Sequence, residues 1–376
     1  MKRLLITARD YASANDIKEI LPDLVNSQKF IIKIIAQNPA YEVFKKIQTN
    51  CFFNKVKIEY VKSSTSIDSN YTAFIFNDFM PHLLLTGISS SVDYGIDEIA
   101  LKVASKYKNN DHKVRTFSIQ SYWGDLNYSL NAVAETIFVL DDFAKRVTLK
   151  KCKKCDIVTT GPLQTKKYEN INVEQKRGAL TQGNKYKNAK IVGFFGQPLL
   201  EHDWYKRTIE IFLKELGKLK VPLVVLYKPH PKETIESIKW TENAIKNTHN
   251  NFIFTSKSDI LDVLPMTDLV VSLFSTVGYD LQNLLAHSSK SFSVPLYLFY
   301  EKGCRQWFER YCQLIDIPMS NDGMALVVKK TSELSKMIHL GLDVNFQSCC
   351  QKKIKENFHT VFESASNTIL KKMCNK

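Results

Sequence analysis

The chain has 376 residues, 44% of them hydrophobic, which is enough for a sizeable core, and its length favours two domains over one. Lys and Arg number 52 against 38 Asp and Glu, a formal net charge of +14 that points to anionic partners without choosing among nucleotide, acidic glycan, membrane surface and nucleic acid. The composition excludes a disordered, collagenous or disulfide-scaffold protein: the eight scattered cysteines fit reduced thiols, MKRLLITARD is too short in apolar core for a signal peptide, no run approaches about 18 apolar residues, and the expected location is cytoplasmic, or peripheral at the inner face of the membrane through basic patches.

In chain order, β-rich runs at 3–8, 29–37, 55–61, 82–89, 114–120, 135–141 and 156–161 alternate with amphipathic segments at 11–27, 40–49, 95–107 and 142–150. Strands nearly continuous in Val, Ile, Leu and Phe, separated by helices, predict a parallel sheet covered on both faces. From 163 to 188 the chain turns polar and basic without a hydrophobic period, which reads as a linker. The alternation then restarts, with strands at 190–197, 222–228, 251–256, 268–274 and 290–298 and helices near 203–218, 233–247, 258–264 and 276–286. Helical stretches near 304–314, 331–341 and 348–373 follow. The domains expected are an N-terminal Rossmann-like lobe at 1–162, the basic linker at 163–188, a C-terminal Rossmann-like lobe at 189–345 and a terminal helix at 346–376 that packs back on the first lobe.

In open parallel sheets ligands bind beyond the carboxyl ends of the strands, where helix N-termini present unpaired N–H groups. One such end is VPLVVLYKPHPKE, where an apolar strand runs into Lys228 and His230, each followed by a proline that fixes φ. A second is DLVVSLFSTVGYD, which brings Ser272, Ser275 and Thr276 to the start of a helix. Ser275 there is either a plain N-cap or part of an anion site. Together the two ends would grip a phosphate leaving group by imidazole, hydroxyl and backbone N–H.

GFFGQPL (193–199), YKPHPKE (227–233) and DLVVSLFSTVGYD (268–280) resemble the C-terminal lobe of GT-B glycosyltransferases, above all bacterial sialyltransferases and polysialyltransferases with an HP motif and a downstream Ser/Thr motif. CDP-glycerol glycerophosphotransferases share the HP and a comparable Ser-rich strand end, and UDP-N-acetylglucosamine 2-epimerases share the fold. The resemblance is in motif for about 110 residues of the second lobe and in architecture alone for the first. It implies an α/β, GT-B-like fold of two Rossmann-like parallel-sheet lobes with a cleft between them and a C-terminal helical return. It further implies that His230 contacts the donor phosphate, with Lys228 adding charge and Ser272, Ser275 and Thr276 holding the same group. Gly196 and Gln197 would form a turn near the nucleotide, or serve backbone geometry only.

Transfer to a hydroxyl also needs a base from the first lobe. The candidate is Asp125, after a strand end beside Trp123 and Gly124, where partial desolvation would raise its pKa. The family places paired acids before the glycine, whereas here Gly124 precedes Asp125. Asp10 is the runner-up, with helix N-cap as its plainer role. The hydroxyl-rich end TGISSSVDYGIDE (86–98), including Ser89, either contacts acceptor or caps the helix from about 95.

GALTQGNK (178–185) has Asn184 where a P-loop needs Lys, and the CKKC pair at 152–155 lacks a second pair at zinc-ligand spacing. No metal site and no cofactor are expected, and without an Asp-x-Asp pair a metal-dependent mechanism has no support. The six Lys or Arg of AKRVTLKKCKKC (144–155) suit anionic headgroups, a polyanionic acceptor or simply a solvated helix end. No nucleic-acid module is present. The expected activity is inverting, metal-independent transfer of a sugar, with a sialic-acid-type CMP donor ranked ahead of a UDP-sugar, to an anionic or surface glycan. The alternatives are a sugar-nucleotide 2-epimerase, a glycerophosphotransferase and a non-catalytic binding protein.

Overall fold

The computed structural model describes residues 1–48, 56–61, 69–89, 93–109, 112–181, 186, 188–358 and 364–375. The chain forms two compact units, one of Met1–Gln164 with Val361–Lys376 and one of Thr165–Thr360.

The first unit runs β1 (Lys2–Ala8), α1 (Tyr11–Asn26), β2 (Phe30–Gln37), α2 (Ala40–Gln48), β3 (Lys57–Val61), α3 (Ser69–Phe79), β4 (Leu83–Thr86), α4 (Ile96–Lys106), a short hairpin β5 (Lys108–Asn109) and β6 (His112–Lys113), β7 (Arg115–Ile119), β8 (Thr136–Val139), α5 (Asp142–Lys151) and β9 (Asp156–Thr159). Its seven-stranded sheet has the order β3-β2-β1-β4-β7-β8-β9, parallel throughout. Side chains alternate across a strand. Leu4 and Leu5 therefore enter separate cores, Leu4 with Ile17, Leu21 and Leu85 and Leu5 with Ile75, Leu84 and Ala100, and both are wholly buried. That double burial is why the strands read as unbroken apolar runs.

The second unit contains α6 (Lys166–Glu169), α7 (Val173–Thr181), β10 (Lys190–Phe195), α8 (Asp203–Leu216), β11 (Leu223–Lys228), α9 (Ile235–Lys246), β12 (Phe252–Phe254), α10 (Ile260–Val263), β13 (Leu269–Ser272), α11 (Val277–His287), β14 (Pro295–Leu298), α12 (Lys302–Cys312), β15 (Leu326–Val328), α13 (Leu334–Leu342) and α14 (Val344–Phe358). Its six parallel strands take the order β12-β11-β10-β13-β14-β15. Helix α8 shows the period plainly: Tyr205, Ile209, Phe212, Leu213 and Leu216 form its buried stripe.

Several elements differ from the sequence expectation. The polar stretch 163–188 contains α6 and α7, which bury Tyr168 and Val173 and are anchored further by polar contacts: Arg177 donates to Thr267 O (2.9 Å) and pairs with Asp268 (2.8 Å). Residues 182–185 and 187, including the Asn184 of the P-loop comparison, lie outside the described residues. Helix α3 and edge strand β15 went unread, β15 being only three residues long. The stretch 348–373 is two helices. Helix α14 belongs to the second unit, whereas α15 (Ala365–Cys374) packs on the first, burying Ile369 and Met373 among the side chains of α1, while its Met373 carbonyl accepts from Arg115. Cys152 and Cys155 form a disulfide, which corrects the expectation that all cysteines are reduced thiols. Among the described residues no helix is long and apolar enough to cross a membrane.

Candidate functional site

In the second sheet the chain proceeds from β10 outward to β11 on one side and returns to β13 on the other. The crevice beyond the ends of β10 and β13 is therefore the topological switch point, the place such sheets bind ligands. Gly196 and Gln197 follow β10 there. The Gly196 N–H donates to Lys228 O at 3.0 Å, and a Cβ on Gly196 would stand 2.3 Å from Glu233 Oε2. Only glycine allows that approach. Gln197 is buried at 7% exposure: its Oε1 accepts from the N–H groups of Leu273 and Phe274 (both 3.2 Å), and its own N–H donates to Tyr205 Oη (2.8 Å). It braces β10 against the turn after β13.

The HP turn is organised by a residue that the sequence pattern does not single out. Glu233 Oε2 accepts from the His230 N–H at 2.6 Å, and Oε1 accepts from Tyr227 Oη and Ser237 Oγ, each at 3.0 Å. One carboxylate thus ties together the end of β11, the turn and the first turn of α9. Burial raises the Glu233 pKa, against the lowering effect of those three hydrogen bonds. The Lys232 N–H donates to His230 Nδ1 at 3.1 Å, which leaves the proton of the neutral imidazole on Nε2. Burial, and then the Lys232 charge, hold His230 below its usual pKa. It is a neutral donor near pH 7. Lys228 is engaged differently: its ammonium donates to Ser258 O (2.6 Å) and Thr255 O (3.3 Å), locking β11 to the loop after β12, and burial lowers its pKa although Asp259 opposes this.

Of the hydroxyl residues, Ser272 is interior, 1% exposed at the end of β13. Ser275 is half-buried, and its Oγ accepts from the Val277 N–H at 3.3 Å, a local turn contact one residue before the N-cap. Thr276 is exposed, occupies the N-cap position of α11 and makes no side-chain cap bond. Gly278 in the first turn of α11 sits over Tyr297 Oη, where a Cβ would come within 1.8 Å. That contact seats the helix directly on β14. His230, Ser275 and Thr276 therefore present polar groups to solvent from the ends of β11 and β13, while Gln197, Ser272 and Lys228 hold the frame.

The switch point of the first sheet lies beyond β1 and β4. Asp10 is the N-cap residue of α1 and makes no side-chain cap bond there. Ser89 is 1% exposed, and its Oγ has no hydrogen-bond partner among the described residues. Residues 90–92 of the same strand end lie outside the described residues. Helix α4 is capped at Gly95, whose N–H donates to Glu98 Oε2 at 2.8 Å, so Ser89 is not its cap. Asp97 beside it is wholly buried, accepting from Thr7 Oγ1 (2.5 Å) and the Arg9 N–H (3.0 Å). Burial first, then the charge of Glu98, push Asp97 up to about 7. In sequence this acid pair looks like an ordinary helix start. Both acids are buried, Asp97 wholly and Glu98 at 2% exposure, and no pattern in the residues before Ile99 and Ala100 marks that.

Asp125 lies in the loop after β7, half-buried, with its backbone pinned: its N–H donates to Tyr122 O (3.1 Å) and its carbonyl accepts from Gln120 Nε2 (2.9 Å). Gly124 adopts φ +70° and its carbonyl accepts from Lys151 Nζ at 2.6 Å. Trp123 is 1% exposed and donates its indole N–H to Asp141 Oδ2 at 2.7 Å, so it anchors the loop from inside. Among the described residues no three His, Cys, Asp or Glu are grouped to hold a metal ion.

No family model matches the chain, and no curated protein does. Solved structures do. A glycosyltransferase from Rickettsia africae ESF-5 superposes with TM-score 0.66 at 13% identity, covering 99% of this chain and 96% of that one. The UDP-GlcNAc 2-epimerase from Neisseria meningitidis bound to UDP-GlcNAc gives 0.62 at 13%, covering 99% of each. Anabaena HepE in complex with UDP gives 0.64 at 10%, again covering 99% of each. Two parallel-sheet Rossmann-like units with interleaved helices, similar along nearly their full length to these enzymes, give the chain the GT-B fold.

Proposed function

We propose that the protein is an inverting glycosyltransferase that uses a nucleotide-activated sugar. The observation that carries this is the end of β11, where Glu233 fixes His230 with Nε2–H available as a neutral donor in the same unit as the half-buried Ser275 and exposed Thr276 hydroxyls at the start of α11. A neutral imidazole, two hydroxyls and a helix N-terminus form a suitable set for a phosphate that gains charge as the glycosidic bond breaks. Asp125, on its pinned loop, is the proposed base for the acceptor hydroxyl, and an anionic or surface glycan is the proposed acceptor. The motif resemblance favours a sialic-acid-type CMP donor. The UDP bound by Anabaena HepE and the UDP-GlcNAc bound by the Neisseria epimerase support UDP as the competing base.

The epimerase reading gains one observation, the acid pair Asp97 and Glu98. Their oxygens, however, accept from Thr7, Arg9 and Gly95, a role in building the turn. Transfer is accordingly the first reading. Thermal shift with CMP, CDP, UDP and GDP tests it, followed by turnover with the matching nucleotide-sugar. One nucleotide should stabilise the protein, and His230→Ala should weaken that effect by about 10–100-fold in affinity, the worth of one hydrogen bond to a charged group. If no nucleotide stabilises the chain, the donor site is wrong. Unchanged affinity and turnover in His230→Ala would remove that residue from it.

A further inference from the structure

The basic segment 144–155 is not used by the donor chemistry. Arg146 and Lys150 lie four residues apart on one face of the end of α5, Lys153 and Lys154 follow in the turn just past it, and all four are exposed. Nearby acids are committed elsewhere: Asp142 accepts from Thr159 Oγ1 (3.0 Å), Asp156 pairs with Lys372 (2.6 Å), and Asp141 caps the helix by accepting from the Ala144 N–H (2.7 Å). Cations at a helix C-terminus are common, because the dipole favours them. Two further features exceed that account. Leu149 is 40% exposed between Arg146 and Lys150, and Tyr128, 42% exposed, is tethered to the same turn by its hydroxyl on Lys151 O (3.0 Å). The Cys152–Cys155 disulfide closes the loop that carries Lys153 and Lys154, so both ammonium groups are held at the helix end rather than on a free strand.

We propose that the end of α5, with its disulfide-closed loop and Tyr128, docks on an anionic lipid surface. Cations alone would suit any polyanion. An exposed leucine and a tyrosine set among them suit a bilayer interface, where the apolar groups enter the acyl boundary and the ammonium groups meet the headgroups.

The test is co-sedimentation of the full chain with phosphatidylcholine vesicles, with and without phosphatidylglycerol. Binding should require phosphatidylglycerol and weaken with salt. Each cation removed should lower partitioning about fivefold, so Lys150→Gln/Lys153→Gln/Lys154→Gln should lose about a hundredfold at unchanged Tm. Leu149→Ser should lose several-fold more. No binding to phosphatidylglycerol vesicles, equal binding to phosphatidylcholine alone, or undiminished binding by the triple variant would overturn the proposal. So would Leu149→Ser binding like the wild type while heparin competes fully, the pattern of a soluble-polyanion site. The nucleotide thermal shift of the same variants should be unchanged, which separates a failure here from a failure of the donor site.

Discussion

Glu233 is the most informative position to replace, because three donors from three elements converge on its carboxylate. Glu233→Ala leaves the His230 N–H, the Tyr227 hydroxyl and the Ser237 hydroxyl without that acceptor. Tyr227 is wholly buried and Ser237 is 2% exposed, so water cannot replace the carboxylate cheaply for either. At about 1–3 kcal/mol for each buried group left unsatisfied, with the His230 N–H near enough to solvent to be partly relieved, the loss should be about 2–4 kcal/mol. For a unit of this size that lowers Tm by roughly 5–15 °C. Glu233→Gln should behave differently. Its amide oxygen can take the His230 N–H, and its amide nitrogen can donate to a hydroxyl that turns from donor to acceptor. Most of the stability should survive.

The two variants also separate charge from scaffolding. Burial raises the folded pKa of Glu233 above its unfolded value, so between those two values the folded state holds more protons than the unfolded chain. Stability from this group is therefore fully present below the unfolded pKa and falls as pH rises through the folded one. Glu233→Gln lacks that slope and should gain on the wild type as pH rises. Thermal and urea unfolding across pH, with the affinity for the stabilising nucleotide measured in parallel, decide the matter. If Glu233→Ala melts like the wild type and binds nucleotide equally well, the bracket around His230 has no energetic content and the site must be sought elsewhere.

Burial and the charge of Glu98 push the Asp97 carboxyl up to about 7, again a raised carboxyl, so the stability it contributes should be present below about pH 4 and decline as pH rises toward 7. Asp97→Asn should flatten that decline in urea denaturation at pH 5 and pH 8, and an unaltered profile would exclude Asp97 as its source. Gly196→Ala places a methyl group 2.3 Å from Glu233 Oε2 and must displace the carboxylate, at a cost of about 1–3 kcal/mol together with weaker nucleotide binding. A variant that melts and binds normally would show that the approach of Gly196 to Glu233 is not tight in solution.

The contrast between what the sequence disclosed and what it withheld has a physical basis. The central strands of both sheets were legible because strands buried on two faces, such as LLLT at β4, leave no polar period to confuse with a helix. The strand ends were legible too, since Pro229 and Pro231, or the Ser and Thr before α11, mark where an apolar run must stop. The partners of each side chain were not. Whether Lys228 faces a ligand or two carbonyls, and whether Trp123 lies at a surface or beneath a loop, depends on which loop of a neighbouring strand comes within about 3 Å, hydrogen-bond reach, and no local pattern encodes that. Glu233 shows the limit most clearly. Three residues after His230, it resembles any acid in the run-up to a helix, and its role exists only because a glycine follows β10 and lets the carboxylate approach. Gly196 and Glu233 are thus two halves of one feature, separated by 37 positions of sequence and joined by the pairing of β10 with β11. A reading that treats the glycine as turn chemistry and the acid as surface charge misses both for the same reason. Each residue's identity is dictated by the other, and only the register of the sheet brings them together.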